Sequence, residues 1–245
     1  MSLLLENVTG GYTQLPVIKN INFEVKAGEL TGLIGLNGAG KSTTIKHIIG
    51  LMMPFSGKIA IDGRTLREDT ERYRQSFAFI PETPVLYEEL TLREHLEITA
   101  MAYGITEAVA MEKAMRYIHD FRLEDKLDWF PAYFSKGMKQ KVMIVCAFML
   151  DVPVYVIDEP FLGLDPLGIH SFLEMVREKK AQGAAILMST HVLASAEKEC
   201  DNFVLLHHGE VKVTGTMADL QREMGMPGAS LDELYISLTK EVDRS

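Results

Sequence analysis

The sequence predicts an α/β fold with a mostly parallel core sheet, an antiparallel β subdomain and a helical subdomain. Strand and turn signals with Gly-rich punctuation fill the first 65 residues. Helical periodicity takes over from Thr91 to about residue 150. Short apolar runs then alternate with helical segments, the rhythm of a parallel sheet covered on both faces.

The first strands are LLLENV, VIKNINFEV, LTGLIG and GKIAID. KSTTIKHIIG interrupts them with apolar residues at helical spacing and a glycine where a helix would end. TLREHLEITAMAYG opens with a capping box, Thr91 with Glu94, and its pattern predicts Leu92, Leu96, Ile98 and Met101 largely along one side. VPVYVID, AAILMST and NFVLLHH read as buried strands, HHGEVKVTG as a hairpin and SLDELYISLTKEV as a capped C-terminal helix. The organisation expected is one domain over 1–245 with four parts: 1–90 (antiparallel β region and the first part of the core), 91–150 (helical), 151–225 (rest of the core) and 226–245 (C-terminal helix).

Composition narrows the function. A chain of 245 residues that is 47% hydrophobic and 24% charged can bury a substantial core. Its formal charge of -9 lacks the broad positive field of nucleic-acid binding, so no nucleic-acid partner is expected and any phosphate recognition must be local. Cys146 and Cys200 sit in apolar stretches without C-x-x-C spacing and are expected as core packing. The opening MSLLLENVTGG has neither a basic start nor a long apolar run, so no secretion signal is expected. The longest apolar run, VMIVCAFML, is nine residues, far short of the roughly 20 needed to span a bilayer. The methionines of the helical block, Met101, Met111, Met115, Met143 and Met149, read as core filler, and the pair His207 and His208 as solvated rather than metal-binding.

GLNGAGKS, from Gly35 through Leu36, Asn37, Gly38, Ala39, Gly40 and Lys41 to Ser42, fits the phosphate-loop pattern G-x-x-x-x-G-K-[ST] between a buried strand and a helix that continues with Thr43. Glycines let backbone N–H groups point at phosphate oxygens, and the helix N-terminus adds partial positive charge. Lys41 neutralises β/γ oxygens, and the Ser42 hydroxyl can ligate Mg²⁺. VYVIDEP delivers two carboxylates at a strand end, where doubly wound sheets place ligands. Asp158 is expected to hold Mg²⁺. Glu159 faces the other side of the pleat by alternation, but the chain ends its strand there and can turn it to orient and deprotonate an attacking water. LMSTHVL ends another strand with His191, a candidate donor to the γ-phosphate.

Together these motifs resemble the ATP-binding cassette of ABC transporters, a P-loop NTPase fold, over essentially the whole chain. The resemblance implies an ATPase that binds ATP and Mg²⁺. It also explains FSKGM, which stands where that family has L-S-G-G-Q at the start of a helix. Ser135 and Gly137 are thereby implied to bind the γ-phosphate of ATP held by a second copy, head to tail. Tyr12 looks like the aromatic that stacks on adenine, and Asp165 like the aspartate at the dimer seam. Glu82 replaces the glutamine usual in FIPETP; a carboxylate can still reach Mg²⁺, while its charge leaves the coupling role open. Lys136 replaces a glycine and either points outward or adds attraction for phosphate.

The longer phrases IPETPVLYEELTL and FSKGMKQKVMIVCAFML are similar to ATP-binding subunits of Ecs-type exporters of Gram-positive bacteria. That likeness implies an integral membrane partner, an Ecs-type permease, and a peripheral position on the cytoplasmic side of the cell membrane. TPVLYEEL, with Val85, Leu86 and Tyr87, is a candidate docking surface, core packing being the competing reading. Two other classes were open: a cassette acting on nucleic acid or ribosomes, which the charge disfavours, and an ATP-gated switch, which Glu159 disfavours. No N-K-x-D guanine-reading motif occurs.

Overall fold

A computed structural model describes residues 2–242. β1 (Ser2–Gly10) and β2 (Ile18–Lys26) precede β3 (Leu30–Ile34), which runs into α1 (Lys41–Ile48). β4 (Ser56–Ile61), β5 (Arg64–Thr65), α2 (Thr70–Gln75) and β6 (Phe77–Ile80) lead to α3 (Leu92–Ala102), α4 (Glu107–Asp120) and α5 (Lys136–Phe148). β7 (Val154–Asp158), α6 (Pro166–Ala181), β8 (Ala185–Thr190), α7 (Leu193–Glu199) and β9 (Asn202–His207) complete the core. β10 (Glu210–Gly215), α8 (Met217–Glu223) and α9 (Leu231–Val242) close the chain.

Six strands form the core sheet in the order β10-β9-β3-β8-β7-β6, parallel from β9 to β6. β3, β7 and β8 are buried along their whole length, which is why their sequences are mostly apolar, the polar Asp158, Ser189 and Thr190 coming at strand ends. The four-stranded antiparallel sheet is ordered β2-β1-β4-β5. Between the two sheets lies α1: Ile45, Ile48 and Ile49 pack in one cluster with Leu3, Val8 and Ile21 of the antiparallel sheet and with Leu33 and Val156 of the core. The helix that opens at the phosphate loop is therefore clamped from both sides.

α3, α4 and α5 pack over the other face of the core sheet. Phe148 of α5 stacks on Tyr155 of β7, with ring centroids 5.2 Å apart, and meets Phe172 of α6 edge-on at 5.9 Å. Such pairs contribute about 1 kcal/mol each beyond their burial, so α5 is seated firmly on the core. A third cluster joins Ile34 and Leu205 of the core to Leu231, Leu234 and Leu238 of α9.

Several expectations hold. Thr91 and Glu94 form the capping box of α3, and Ser230 with Glu233 caps α9. β9 and β10 form the hairpin, turning on His208 and Gly209, both with positive φ. Others do not. α3 buries Leu92, His95, Leu96 and Ala100, whereas Ile98 and Met101 are exposed. At about 100° per residue Met101 stands about 180° from Leu92, so the two cannot share a face.

Met101 and Met115 are exposed, unlike the fully buried Met149. His207 is buried, because it ends β9 under the hairpin rather than standing in the turn with His208. Cys146 is buried and Cys200 partly so. In the 83–90 segment Leu86 packs on the core while Val85 and Tyr87 are exposed. No helix among the described residues is long and apolar enough to cross a membrane.

Candidate nucleotide site

The phosphate loop is shaped by close approach. A β-carbon at Gly35 would lie 2.8 Å from Ala39 Cβ and 2.9 Å from the Leu206 carbonyl of β9, so only glycine fits there. Gly40, at φ 112°, turns the chain into α1. The Ala39 N–H closes the turn on Leu36 O at 3.0 Å, and Ala39 O accepts from the Gly209 N–H of the β9–β10 hairpin at 2.9 Å. Lys41 is buried and donates to Gly35 O at 2.6 Å, while Ser42 faces solvent.

Two buried acids, Asp158 and Glu159, stand at the end of β7. Glu159 takes φ 46°, a left-handed conformation costing about 1 to 2 kcal/mol for a residue with a side chain. The strand ends at this turn, and the Glu159 carboxylate reaches Lys41 and His191. The Glu159 N–H meets Ser189 Oγ of β8 at 3.2 Å. One carboxylate oxygen lies 3.7 Å from Lys41 Nζ, and the other accepts from the His191 backbone N–H at 3.2 Å and lies 2.9 Å from His191 Nδ1. Lys41 at the start of α1, Asp158 and Glu159 at the end of β7 and His191 just past β8 thus converge at one end of the core sheet.

Asp158 is buried, and Ser189 Oγ donates to its carboxylate. Burial raises its pKa; the Ser189 bond opposes this, and the nearby charges of Glu82 and Glu159 raise it further. Glu82 itself is exposed but acts on Asp158 through space. Ser189 is the functional neighbour that the sequence reading missed as an individual residue. Its only signal was its place in the polar tip of LMST.

Tyr12 is 59% exposed in the loop between β1 and β2. Its phenol accepts from Lys46 Nζ at 3.1 Å, and the Lys46 ammonium lies 5.0 Å from the ring centroid. Hydrogen bonding to Thr43, then to Lys46, lowers the phenol's pKa. Two residues of α1 thereby hold the Tyr12 ring near the phosphate loop's own helix.

A second cluster forms on the helical subdomain. Ser135 is the exposed N-cap of α5, its hydroxyl accepting from the Met138 N–H at 3.2 Å. Phe134 is buried and Lys136 exposed. A β-carbon on Gly137 would come within 2.3 Å of Gly163 O, so the two backbones touch. Asp165 caps α6 through the Gly168 N–H at 2.7 Å and lies 3.6 Å from Lys141 of α5. That N–H, then Lys141, holds the Asp165 carboxyl below its usual range. Ser135, Gly137 and Asp165 consequently form one body, joined twice across the α5–α6 boundary.

Among the described residues no three His, Cys, Asp or Glu side chains converge as a metal cage. Ser42, Asp158 and Glu82 offer oxygen donors only, the kind that Mg²⁺ takes together with phosphate oxygens. The donor set fits that ion.

The ABC transporter family profile matches residues 18–162. The chain is 58% identical to the ABC-type transporter ATP-binding protein EcsA of Bacillus subtilis (strain 168), over 98% of each chain. It is 33% identical to the Nod factor export ATP-binding protein I of Burkholderia orbicola (strain AU 1054), covering 93% of this chain and 78% of that one. A solved structure described as the ATP-binding subunit of an ABC transporter is 60% identical, with a TM-score of 0.95 over 98% of this chain and 100% of that one. The phosphate loop, acidic strand end and serine-capped helix therefore sit in a chain that belongs to the ABC transporter family, as an ATP-binding and ATP-hydrolysing subunit.

Proposed function

We propose that two copies of this chain clasp ATP head to tail and use its hydrolysis to drive a separate membrane-spanning export subunit. One observation carries the reading. Lys41, Glu159 and His191 close on one another at the phosphate loop, while Ser135 is exposed at the tip of α5, within a cluster of its own. An anion grip on a separate, exposed element suits a nucleotide presented by a second molecule.

In this reading the backbone N–H groups of Gly38 to Ser42 cradle phosphates, and Tyr12 offers its exposed ring to adenine. Lys41 neutralises charge on the terminal phosphates. Glu159 orients a water and takes its proton, and His191, already bonded to Glu159, donates toward the γ-phosphate. Mg²⁺, when bound with nucleotide, would neutralise phosphate charge, held by Ser42, Asp158 and Glu82. Ser135 and the Gly137 N–H complete the site from the partner copy. Because contacts to Gly163 and Asp165 tie the start of α5 to the segment that leads into α6, closure on the partner's nucleotide is passed from the helix tip into the core.

Export and an Ecs-type permease as partner are favoured by the likeness to EcsA and to a Nod factor exporter subunit. Peripheral attachment at the cytoplasmic membrane face follows from such a partner. The exposed Val85 and Tyr87, between β6 and α3, are the surface we assign to it. Purification of the tagged chain from detergent-solubilised native membranes tests this. A spanning subunit should co-purify and change the ATPase rate, and Tyr87→Asp should release it. Recovery of the chain alone, with a rate indifferent to the membrane fraction, would contradict the proposal.

A further inference from the structure

We propose that Tyr235 of the C-terminal helix is a positioning residue of the nucleotide site, its hydroxyl fixing the Gly35–Leu36 peptide plane at the mouth of the phosphate loop. The Leu36 N–H donates to Tyr235 Oη at 2.7 Å, and Tyr235 Oη donates on to Leu206 O at 3.2 Å. The opposite end of the same peptide plane, Gly35 O, accepts from Lys41 Nζ at 2.6 Å. One peptide unit is thus held by two residues, 194 positions apart in the sequence (235 minus 41). Whenever Lys41 turns its ammonium toward phosphate, the Tyr235 bond remains to keep the plane from rotating.

The tyrosine is built for this. It is 3% exposed, and burial raises its phenol pKa, so the hydroxyl stays protonated and can donate while it accepts. Its helix is anchored independently of the bond: Leu231, Leu234 and Leu238 share a cluster with Ile34, the residue before the loop, and the Leu231 N–H donates to Glu197 of α7 at 2.9 Å. α7 begins two residues after His191. The C-terminal helix therefore braces both the phosphate loop and the segment that carries His191. Leu36 itself is exposed and its bond to Tyr235 is part-buried, so without Tyr235 Oη the Leu36 N–H turns to water and the peptide plane loses its fixed orientation.

The test is Tyr235→Phe in the full chain, which keeps the ring and removes one oxygen. ADP affinity by calorimetry should fall by about fivefold, and the KM for ATP should rise by a similar factor with kcat within about twofold. Amide exchange in residues 35–40 should quicken. Leu238→Ala serves as comparison, since it loosens the packing of the helix without touching Leu36. Tight ADP binding in Leu238→Ala together with weakened binding in Tyr235→Phe supports the proposal. Native ADP affinity in Tyr235→Phe, or an equal loss in Leu238→Ala, overturns it. The proposal rests on this loop holding nucleotide. A native chain that bound no ADP would remove that reading and the proposal with it, whereas native binding with an unaffected Tyr235→Phe removes the Tyr235 role alone.

Discussion

Glu159→Gln separates binding from chemistry at this site. The native carboxylate lies 3.7 Å from Lys41 Nζ and takes two contacts from His191. Two unit charges at that separation attract by about 4 kcal/mol at an effective dielectric near 20, before desolvation is subtracted. Glutamine keeps the shape and an acceptor for the His191 N–H but removes this competitor for the lysine, so nucleotide affinity is expected to hold or to tighten. Proton abstraction is lost. A positioned base contributes roughly 10²- to 10⁴-fold, and a hundredfold loss corresponds to about 2.7 kcal/mol in the barrier. Phosphate release at saturating ATP and Mg²⁺ should therefore fall at least about a hundredfold, with ADP affinity by calorimetry no weaker than native. Turnover within about threefold of native would take the base role from Glu159. Joint loss of turnover and ADP binding would make its role one of holding the loop in shape.

Three further outcomes are expected. Asp158 has a raised pKa in the folded chain, so its ionisation costs stability that is present below the unfolded-state pKa and lost as pH rises through the folded one. At neutral pH Asp158→Asn should accordingly raise the Tm of the nucleotide-free chain while abolishing Mg²⁺-dependent hydrolysis; an unchanged or lower Tm contradicts this. Gly137→Ala forces a β-carbon to within 2.3 Å of Gly163 O. Overpacking of this kind costs about 1 to 3 kcal/mol, so ATPase activity should collapse while ADP binding at the phosphate loop persists in calorimetry. Burial pushes the Cys146 thiol up to about 12, against about 8.5 when unfolded. Its contribution is whole below about pH 8.5 and is lost as pH rises toward 12, at about 1.4 kcal/mol per pH unit. Urea midpoints at pH 8 and pH 10 should differ less in Cys146→Ala than in the native chain.

The phosphate loop was legible because its cradle is one contiguous stretch, and its flanking strand and helix carry unmistakable periods. The acidic strand end was equally local. That the chain turns at Glu159 was legible only as something it could do, since φ 46° at a glutamate is set by the surrounding contacts and not by propensity. Contacts between remote elements were invisible. Gly137 reads as part of a short loop motif, yet its lack of a side chain is required by Gly163 in the loop between β7 and α6. Nothing in the sequence of the capped C-terminal helix singles out Tyr235, and only the fold shows its hydroxyl at Leu36. Helix α3 was misread because four apolar residues were assigned to one side, when the angular step places Ile98 and Met101 away from the buried stripe.

The split site is tested most directly by the solution mass of Glu159→Gln with ATP, alone and combined with Ser135→Arg. Light scattering should give the mass of two chains for Glu159→Gln with ATP and of one chain without it. Adding Ser135→Arg should return the mass to one chain although calorimetry still detects nucleotide binding. A dimer that survives Ser135→Arg, or a Glu159→Gln chain that binds ATP and stays single, would show that the serine-capped helix tip does not close on a partner's nucleotide.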